Sequence, residues 1–277
     1  MSIITLTTDY GLRDHFVGSL KGKIYSVYPQ ATIVDISHSI APFNISETNY
    51  ILNASYGSFP IGTVHIVGVD CERNFENQHV AIKWNDHYFL AADNGVLSLL
   101  TQIIPAQKII KINIHEFMLS NATDMDALVK VAVHLSKGGL LHEVGEPILA
   151  LKDVTEVQPV ASSDLKTIKG NVIYIDNFGN VVTNITKSMF EKIGKNRRFQ
   201  IVTRGVTISS ILNRYSDLVQ FSNTSINAQV SNKVAIFNEN KLLEIALYKS
   251  NPDKYGAANS LLGFNYRDVV TVEFLSD

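Results

Sequence analysis

The chain has 277 residues, 45% of them hydrophobic, and a formal net charge of −2. That length favours two domains over one and allows a substantial core. The near-balanced charge, with no basic cluster interleaved with aromatics, gives no electrostatic footprint for a nucleic-acid partner.

Cys71 is the single cysteine, so an internal disulfide is excluded, and a reducing compartment fits. The opening MSIITLTTDYGLRDHF lacks a basic leader and a long apolar run. Nowhere does an apolar stretch approach the roughly 20 residues that span a bilayer. The expectation is a cytoplasmic protein with no membrane partner.

The first half alternates strand and helix signals. Residues 3–7 are β-rich and stop at Asp9-Tyr10-Gly11. After Asp14, a plausible N-cap, Phe16, Val17, Leu20, Ile24 and Val27 recur at helical spacing until Pro29. A second strand is expected over 32–36, a helix over about 46–57, and a largely apolar strand over 63–69. Paired strands around 80–90 lead into the turn signal Asp93-Asn94-Gly95. A further helix, about 124–136, carries Leu128, Val131, Ala132 and Leu135 on one face. Apolar strands between helices predict an α/β domain over residues 1–150 with a mostly parallel sheet flanked by helices.

Residues 151–167 are polar and aperiodic, and contain Pro159 and Ser162-Ser163. They read as a linker. From 168 to 277 short β-rich runs dominate, at 171–175, 181–185, 199–202, 234–237, 243–247 and 269–274. This predicts a smaller β-rich, barrel-like C-terminal domain.

Common catalytic signatures are missing: there is no G-x-G-x-x-G, P-loop, G-x-S-x-G or H-E-x-x-H. The eight histidines are scattered without metal-ligand spacing, so no metal site is expected. What remains is a set of acidic residues at strand ends. Asp9 follows the first strand, Asp70 the third, and Asp176 opens Asp176-Asn177-Phe178-Gly179-Asn180. In open α/β sheets ligands bind beyond the carboxyl ends of strands, where a carboxylate can accept from ribose hydroxyls or attract a cation. The same aspartates equally suit turns and helix caps. The residues alone leave both roles open.

Six blocks, in order along nearly the whole chain, carry a resemblance: ITLTTDYGLRDHFVGSLKG, VDISHSIAPFNISE, FPIGTVHIVGVD, AADNGVLS, IDNFGNVVTNI, and LLEIA with GAANSLLG. Together they resemble the S-adenosylmethionine (SAM) hydroxide adenosyltransferase family, which also contains the fluorinases and chlorinases. The resemblance implies that Asp9 holds the ribose hydroxyls and that Phe43 forms an apolar wall beside the sugar and sulfonium. It implies that Asp176 pairs with the methionine ammonium, Asn180 meets the adenine edge, and Tyr215 stacks on adenine. The backbone at Gly256-Ala257-Ala258 would read the adenine amino group, with Phe178 a further wall and Asn238 near the methionine end. Ala258 is thus carried as a binding position. The family assembles as homotrimers with sites between subunits, and SAM is its substrate, so no separate cofactor is expected.

The implied reaction is an in-line displacement at the ribose C5′ with neutral methionine leaving. It calls for an aligned, partly desolvated nucleophile. Asp70 matches the aspartate of the water-using members' Asp–Arg–His set. A carboxylate there would repel a halide by about 4 kcal/mol at 4 Å with an effective dielectric near 20. The pattern also departs from the family: Asn77 stands at the arginine position, with Arg73 nearby, and Thr123 stands opposite the histidine. Glu239 occupies a serine position, with Asn238 and Lys241 beside it, and about ten residues, 221–230, read as an insertion. The expected function is hydrolysis of SAM to adenosine and L-methionine, with Asp70 orienting water and Asn77 in the catalytic set. The alternatives are a SAM- or adenosine-binding protein with a degenerate site, or altered chemistry on a related adenosyl substrate.

Overall fold

Ile3–Thr8 form strand β1 because their side chains are buried on both faces of a sheet, Ile4 and Leu6 completely. The computed structural model that shows this describes residues 2–203, 205–220 and 232–275. The insertion expected at 221–230 lies outside the described residues. The chain divides into two compact units, Met1–Glu156 and Val157–Asp277.

In the first unit β1 is followed by helix α1 (Phe16–Val27), β2 (Thr32–Ser37), α2 (Ile45–Ser55) and β3 (Val64–Gly68). The hairpin β4 (His79–Trp84) and β5 (His87–Ala92) comes next, then α3 (Val96–Leu100), β6 (Lys108–Ile112), α4 (Asp124–Ser136) and β7 (Gly145–Pro147). The expected N-cap of α1, Asp14, is not used: His15 holds that position without a side-chain cap. The better-capped helices are α2, where Asn44 accepts from the Glu47 N–H, and α4, where Thr123 and Asp126 form a reciprocal capping box.

The seven-stranded sheet has the order β2-β1-β3-β5-β4-β6-β7. Pairs β1–β2, β1–β3 and β3–β5 are parallel, whereas β4–β5, β4–β6 and β6–β7 are antiparallel. The sheet is therefore mixed, which corrects the expectation of a mostly parallel one. The cause is local. Asn85 and Asp86 both adopt positive φ, 46° and 61°, the backbone of a two-residue hairpin turn, and this reverses the chain between β4 and β5. Helices cover both faces, so these antiparallel strands are as apolar as parallel ones, and hydropathy could not tell them apart.

Leu6, Ile66 and Leu128 share one core under α1 and α4. Leu52, Val67, Phe89 and Leu97 share the other, under α2 and α3. Fully burying each such side chain contributes about 1.5–3 kcal/mol.

The second unit contains β8 (Val160–Ala161), β9 (Thr167–Ile175), β10 (Val181–Thr186), α5 (Lys187–Gly194), β11 (Phe199–Thr203), β12 (Val206–Ile208), β13 (Lys233–Phe237), β14 (Leu242–Leu247) and β15 (Val269–Phe274). They form one antiparallel sheet in the order β12-β11-β15-β9-β10-β14-β13, with β8 beside β9. Its two end strands, β12 and β13, approach each other, so the sheet is nearly closed and barrel-like. Ile168, Val172, Val181, Ile245 and Val272 are fully buried inside it.

Candidate functional site

The chain leaves β1 to one side through α1 and returns to the other side through α2, so β2 and β3 flank β1. Such a reversal opens a crevice beyond the carboxyl ends of the strands. Here that crevice is a cleft of about 600 Å³. Asp9, after β1, and Asp70, after β3, both line it, as the strand ends predicted. Phe43 lines it too, and its backbone N–H donates to Asp9 Oδ2 at 3.0 Å.

Two of these residues have uncommon backbones. Phe43 has φ 62° and Asp70 has φ 44°. Such left-handed conformations cost of order 1–3 kcal/mol and persist only where the surroundings impose them. For Asp70 the imposing group is Asn94, in the turn before α3. Its buried amide donates to the Val69 and Asp70 carbonyls, both at 3.0 Å, while its oxygen accepts from the Val96 N–H. Gly95 completes this clamp at φ 106°, and a Cβ there would lie 2.2 Å from Val154.

The cleft is acidic. Asp9, Asp70, Glu72 and Asp124 line it, against one lysine, Lys23. Lys23 is already paired with Asp126 at 2.5 Å. Apolar surface comes from Phe16, Leu20, Phe43 and Met125. Such a site favours a cationic ligand with an apolar body. Cys71 also lines it, but burial, with the nearby Asp124, Asp9 and Asp70, pushes its thiol up to about 12. It stays protonated at neutral pH and is not a nucleophile. Burial likewise pushes the neighbouring Tyr10 phenol above its usual range.

The departures from the family pattern have clear structural positions. Asn77 does not line the cleft; its side-chain oxygen accepts from Lys152 Nζ at 2.8 Å. Thr123 does line it, yet its hydroxyl is occupied in capping α4. Arg73 stays close: its N–H donates to Asp124 Oδ2 at 2.7 Å and its guanidinium lies 4.0 Å from Oδ1.

In the second unit, Phe178, Asn180 and Tyr215 line one depression of about 210 Å³ together with Tyr248. The Asp176 carboxylate accepts from the Phe178 and Asn180 N–H groups, each at 2.8 Å, and from the Asn180 amide at 2.9 Å. One lone-pair position of the carboxylate is left over. The Tyr215 hydroxyl donates to Glu244, which also accepts from the Asn238 amide at 3.1 Å. Burial raises the Glu244 pKa, and these two bonds oppose the rise. Asn238 does not line the depression, and Ala258 is buried at the start of the short helix Ala258–Leu261. Lys241 closes a turn at φ 60° by donating its N–H to the Asn238 carbonyl at 2.9 Å, with Glu239 inside that turn.

Sequence reasoning did not find His79, His115 and Asp124 as a group. The fold brings them together, with donor atoms within 4.8 Å of one another, from positions 36 and 9 residues apart that no spacing rule connects.

An acidic, apolar-walled cleft at the switch point of a helix-covered sheet, in a chain that goes on to form a separate barrel-like antiparallel unit, defines a small-molecule-binding α/β protein. Its closest description comes from comparison with known proteins. Residues 4–145 match the SAM hydroxide adenosyltransferase N-terminal domain and residues 170–271 match the C-terminal domain. The chain belongs to that family. It is 31% identical over 195 residues to the (R)-S-adenosyl-L-methionine hydrolase of Methanocaldococcus jannaschii, covering 68% of each chain. It is 28% identical to a fluorinase of an Actinoplanes species, covering 69% of this chain and 74% of that one. A crystal structure of an uncharacterized conserved protein from Thermotoga maritima superimposes with a TM-score of 0.83 at 26% identity, covering 98% of this chain and 99% of the other.

Proposed function

We propose that this protein hydrolyses SAM at the ribose C5′, releasing adenosine and L-methionine. The observation that carries the reading is the convergence of Asp9 and Asp70 on one acidic cleft in a chain of this family. In the reaction the water oxygen forms a bond to C5′, the C5′–S bond breaks, and its electron pair neutralises the sulfonium. The leaving group needs no proton. The attacking water must lose one, and the Asp70 carboxylate is the acceptor that orients it. The four cleft carboxylates attract the cationic sulfonium and disfavour a halide in the water's place.

On this reading Asp9 holds the ribose hydroxyls and Phe43 walls the sugar. Asp176 uses its remaining lone pair for the methionine ammonium. Asn180, Tyr215 and Phe178 receive the adenine, with the backbone at Ala258 reading its amino group and Asn238 near the methionine end. The assembly is a homotrimer with sites completed between subunits, and SAM is substrate rather than cofactor. A cytoplasmic location fits the single cysteine, which rules out an internal disulfide. No helix among the described residues is long and apolar enough to cross a membrane.

A second reading is favoured by one specific observation: Asn77 is turned to Lys152 and Thr123 is committed to a cap, so neither family partner of Asp70 is replaced in kind. The protein would then bind SAM or adenosine without efficient turnover. Calorimetry with SAM followed by chromatography of the same mixture separates the two. Adenosine formed in step with methionine supports hydrolysis; tight binding without adenosine supports the second reading; no binding defeats both. Light scattering that finds a monomer with full affinity would defeat the trimer.

A further inference from the structure

His79, at the start of β4, is fully buried, and His115 lies in the 3-10 turn Ile114–Phe117 that follows β6. Their facing nitrogens, His79 Nδ1 and His115 Nε2, are 2.9 Å apart. On the other side of its ring, His79 Nε2 lies 2.9 Å from the Cys71 carbonyl. A carbonyl only accepts, so Nε2 carries the hydrogen and Nδ1 presents its lone pair to His115.

His115 cannot resolve this arrangement with a proton alone. Its Nδ1 is buried and closes no well-formed hydrogen bond among the described residues; the Ile112 carbonyl, which only accepts, is the one polar group acting on it from the backbone. If His115 Nε2 donates to His79, a lone pair is stranded at Nδ1. If Nδ1 carries the hydrogen instead, two lone pairs face each other at 2.9 Å. A cation coordinated by both nitrogens removes that second conflict.

The third member is Asp124, the first residue of α4, whose carboxylate lies with both imidazoles inside the 4.8 Å span. Its Oδ2 is oriented by the Arg73 N–H at 2.7 Å, as His79 is by the Cys71 carbonyl. Outer partners of this kind fix ligand direction and tautomer in metal centres. Two neutral imidazoles and one carboxylate are a donor set suited to borderline divalent ions, and three protein ligands leave a position for water. Metal–ligand distances of about 2.0–2.2 Å require the carboxylate to close toward the rings. Its side chain is 35% exposed and has room to rotate.

The geometry points to a binding site for one divalent transition-metal ion of the zinc class, held by His79 Nδ1, His115 Nε2 and the Asp124 carboxylate. Asp124 belongs to this trio and to the cleft alike. An ion there offsets one of the four cleft carboxylates and sets a positive charge beside Thr123, where the side chain supplies none. Arg73 is the competing cation. That consequence rests on the hydrolase reading; the metal binding does not.

The test uses tag-free full-length protein, stripped with a chelator and titrated with zinc chloride by calorimetry, then with cobalt(II) for visible absorption. The expected result is one equivalent bound at micromolar metal or below, with cobalt bands in the visible. His115→Gln should weaken zinc by more than the roughly 10–100-fold expected of an outer partner. Its melting temperature in chelator, matched to that of the parent, certifies the fold; if it does not fold, Asp124→Asn takes its place with the same expectation. No stoichiometric zinc in the parent chain, or a folded variant that binds as tightly, overturns the site. Adenosine formation is assayed separately. Zinc binding without adenosine leaves the metal site standing and defeats the hydrolase reading, while adenosine without zinc binding does the reverse.

Discussion

Around the cleft of the first unit, carboxylates line open space. Asp9 accepts from the Phe43 N–H, and Asp70 is presented by a left-handed backbone clamped by Asn94. In the second unit the polar groups near the depression mostly satisfy one another: Asp176 takes three bonds from its own loop, and Glu244 takes Tyr215 and Asn238. All eight histidines fall in the first unit and none in the second. The first unit therefore concentrates cleft-lining carboxylates and titratable rings, while the second presents aromatic surface beside an internally bonded loop.

The sharpest way to break this contrast is Asp70→Asn. Asparagine tolerates φ 44° about as well as aspartate, so shape is kept and the charge removed. Adenosine formation should fall about 10²–10⁴-fold, the usual contribution of a positioned proton acceptor, with SAM affinity changed far less. Turnover equal to the parent's would remove Asp70 from the chemistry.

Gly179→Ala tests the second unit's loop. Gly179 has φ 73°, and an added Cβ would lie 2.4 Å from the Ala257 side chain. Overpacking and backbone strain together should cost about 2–4 kcal/mol. Denaturant melts would reveal this, and an unchanged midpoint would show that the loop is not rigid.

Asp9→Ala should weaken SAM binding by about 1.5–3 kcal/mol, the range for hydrogen bonds involving a charged group. Calorimetry that returns the parent affinity would place the ribose elsewhere.

The smallest effect per step concerns acid. His65 is buried, bonded to Thr5 at 2.7 Å and to His87 at 3.1 Å. Burial, then the neighbouring His87, lowers its pKa to about 3. The folded form resists a proton that the unfolded chain accepts below its ordinary pKa of about 6.5. Stability from this group is therefore full above that value and lost as the pH falls toward 3, by about 1.4 kcal/mol per pH unit. Acid should melt the histidine-bearing unit while the other stays folded. Simultaneous loss of both, followed by amide exchange across the pH range, would contradict the contrast.

Local chemistry was legible in the chain itself. The helix over 124–136 and the paired strands around 80–90 follow from side-chain spacing, and the turn at 93–95 from its Asp-Asn-Gly signal, because periodicity and turn residues act over short distances. Their positions at strand ends singled out Asp9 and Asp70, and the fold sets both in the lining of one cleft. Strand direction was not legible, because helices on both faces of the sheet make parallel and antiparallel strands equally apolar. Nor was the meeting of His79, His115 and Asp124, whose contact depends on β4, the turn after β6 and the start of α4 packing together. Sequence fixes which groups are available and their local geometry; only tertiary packing decides which distant groups share a site, since proximity across elements leaves no period in the chain.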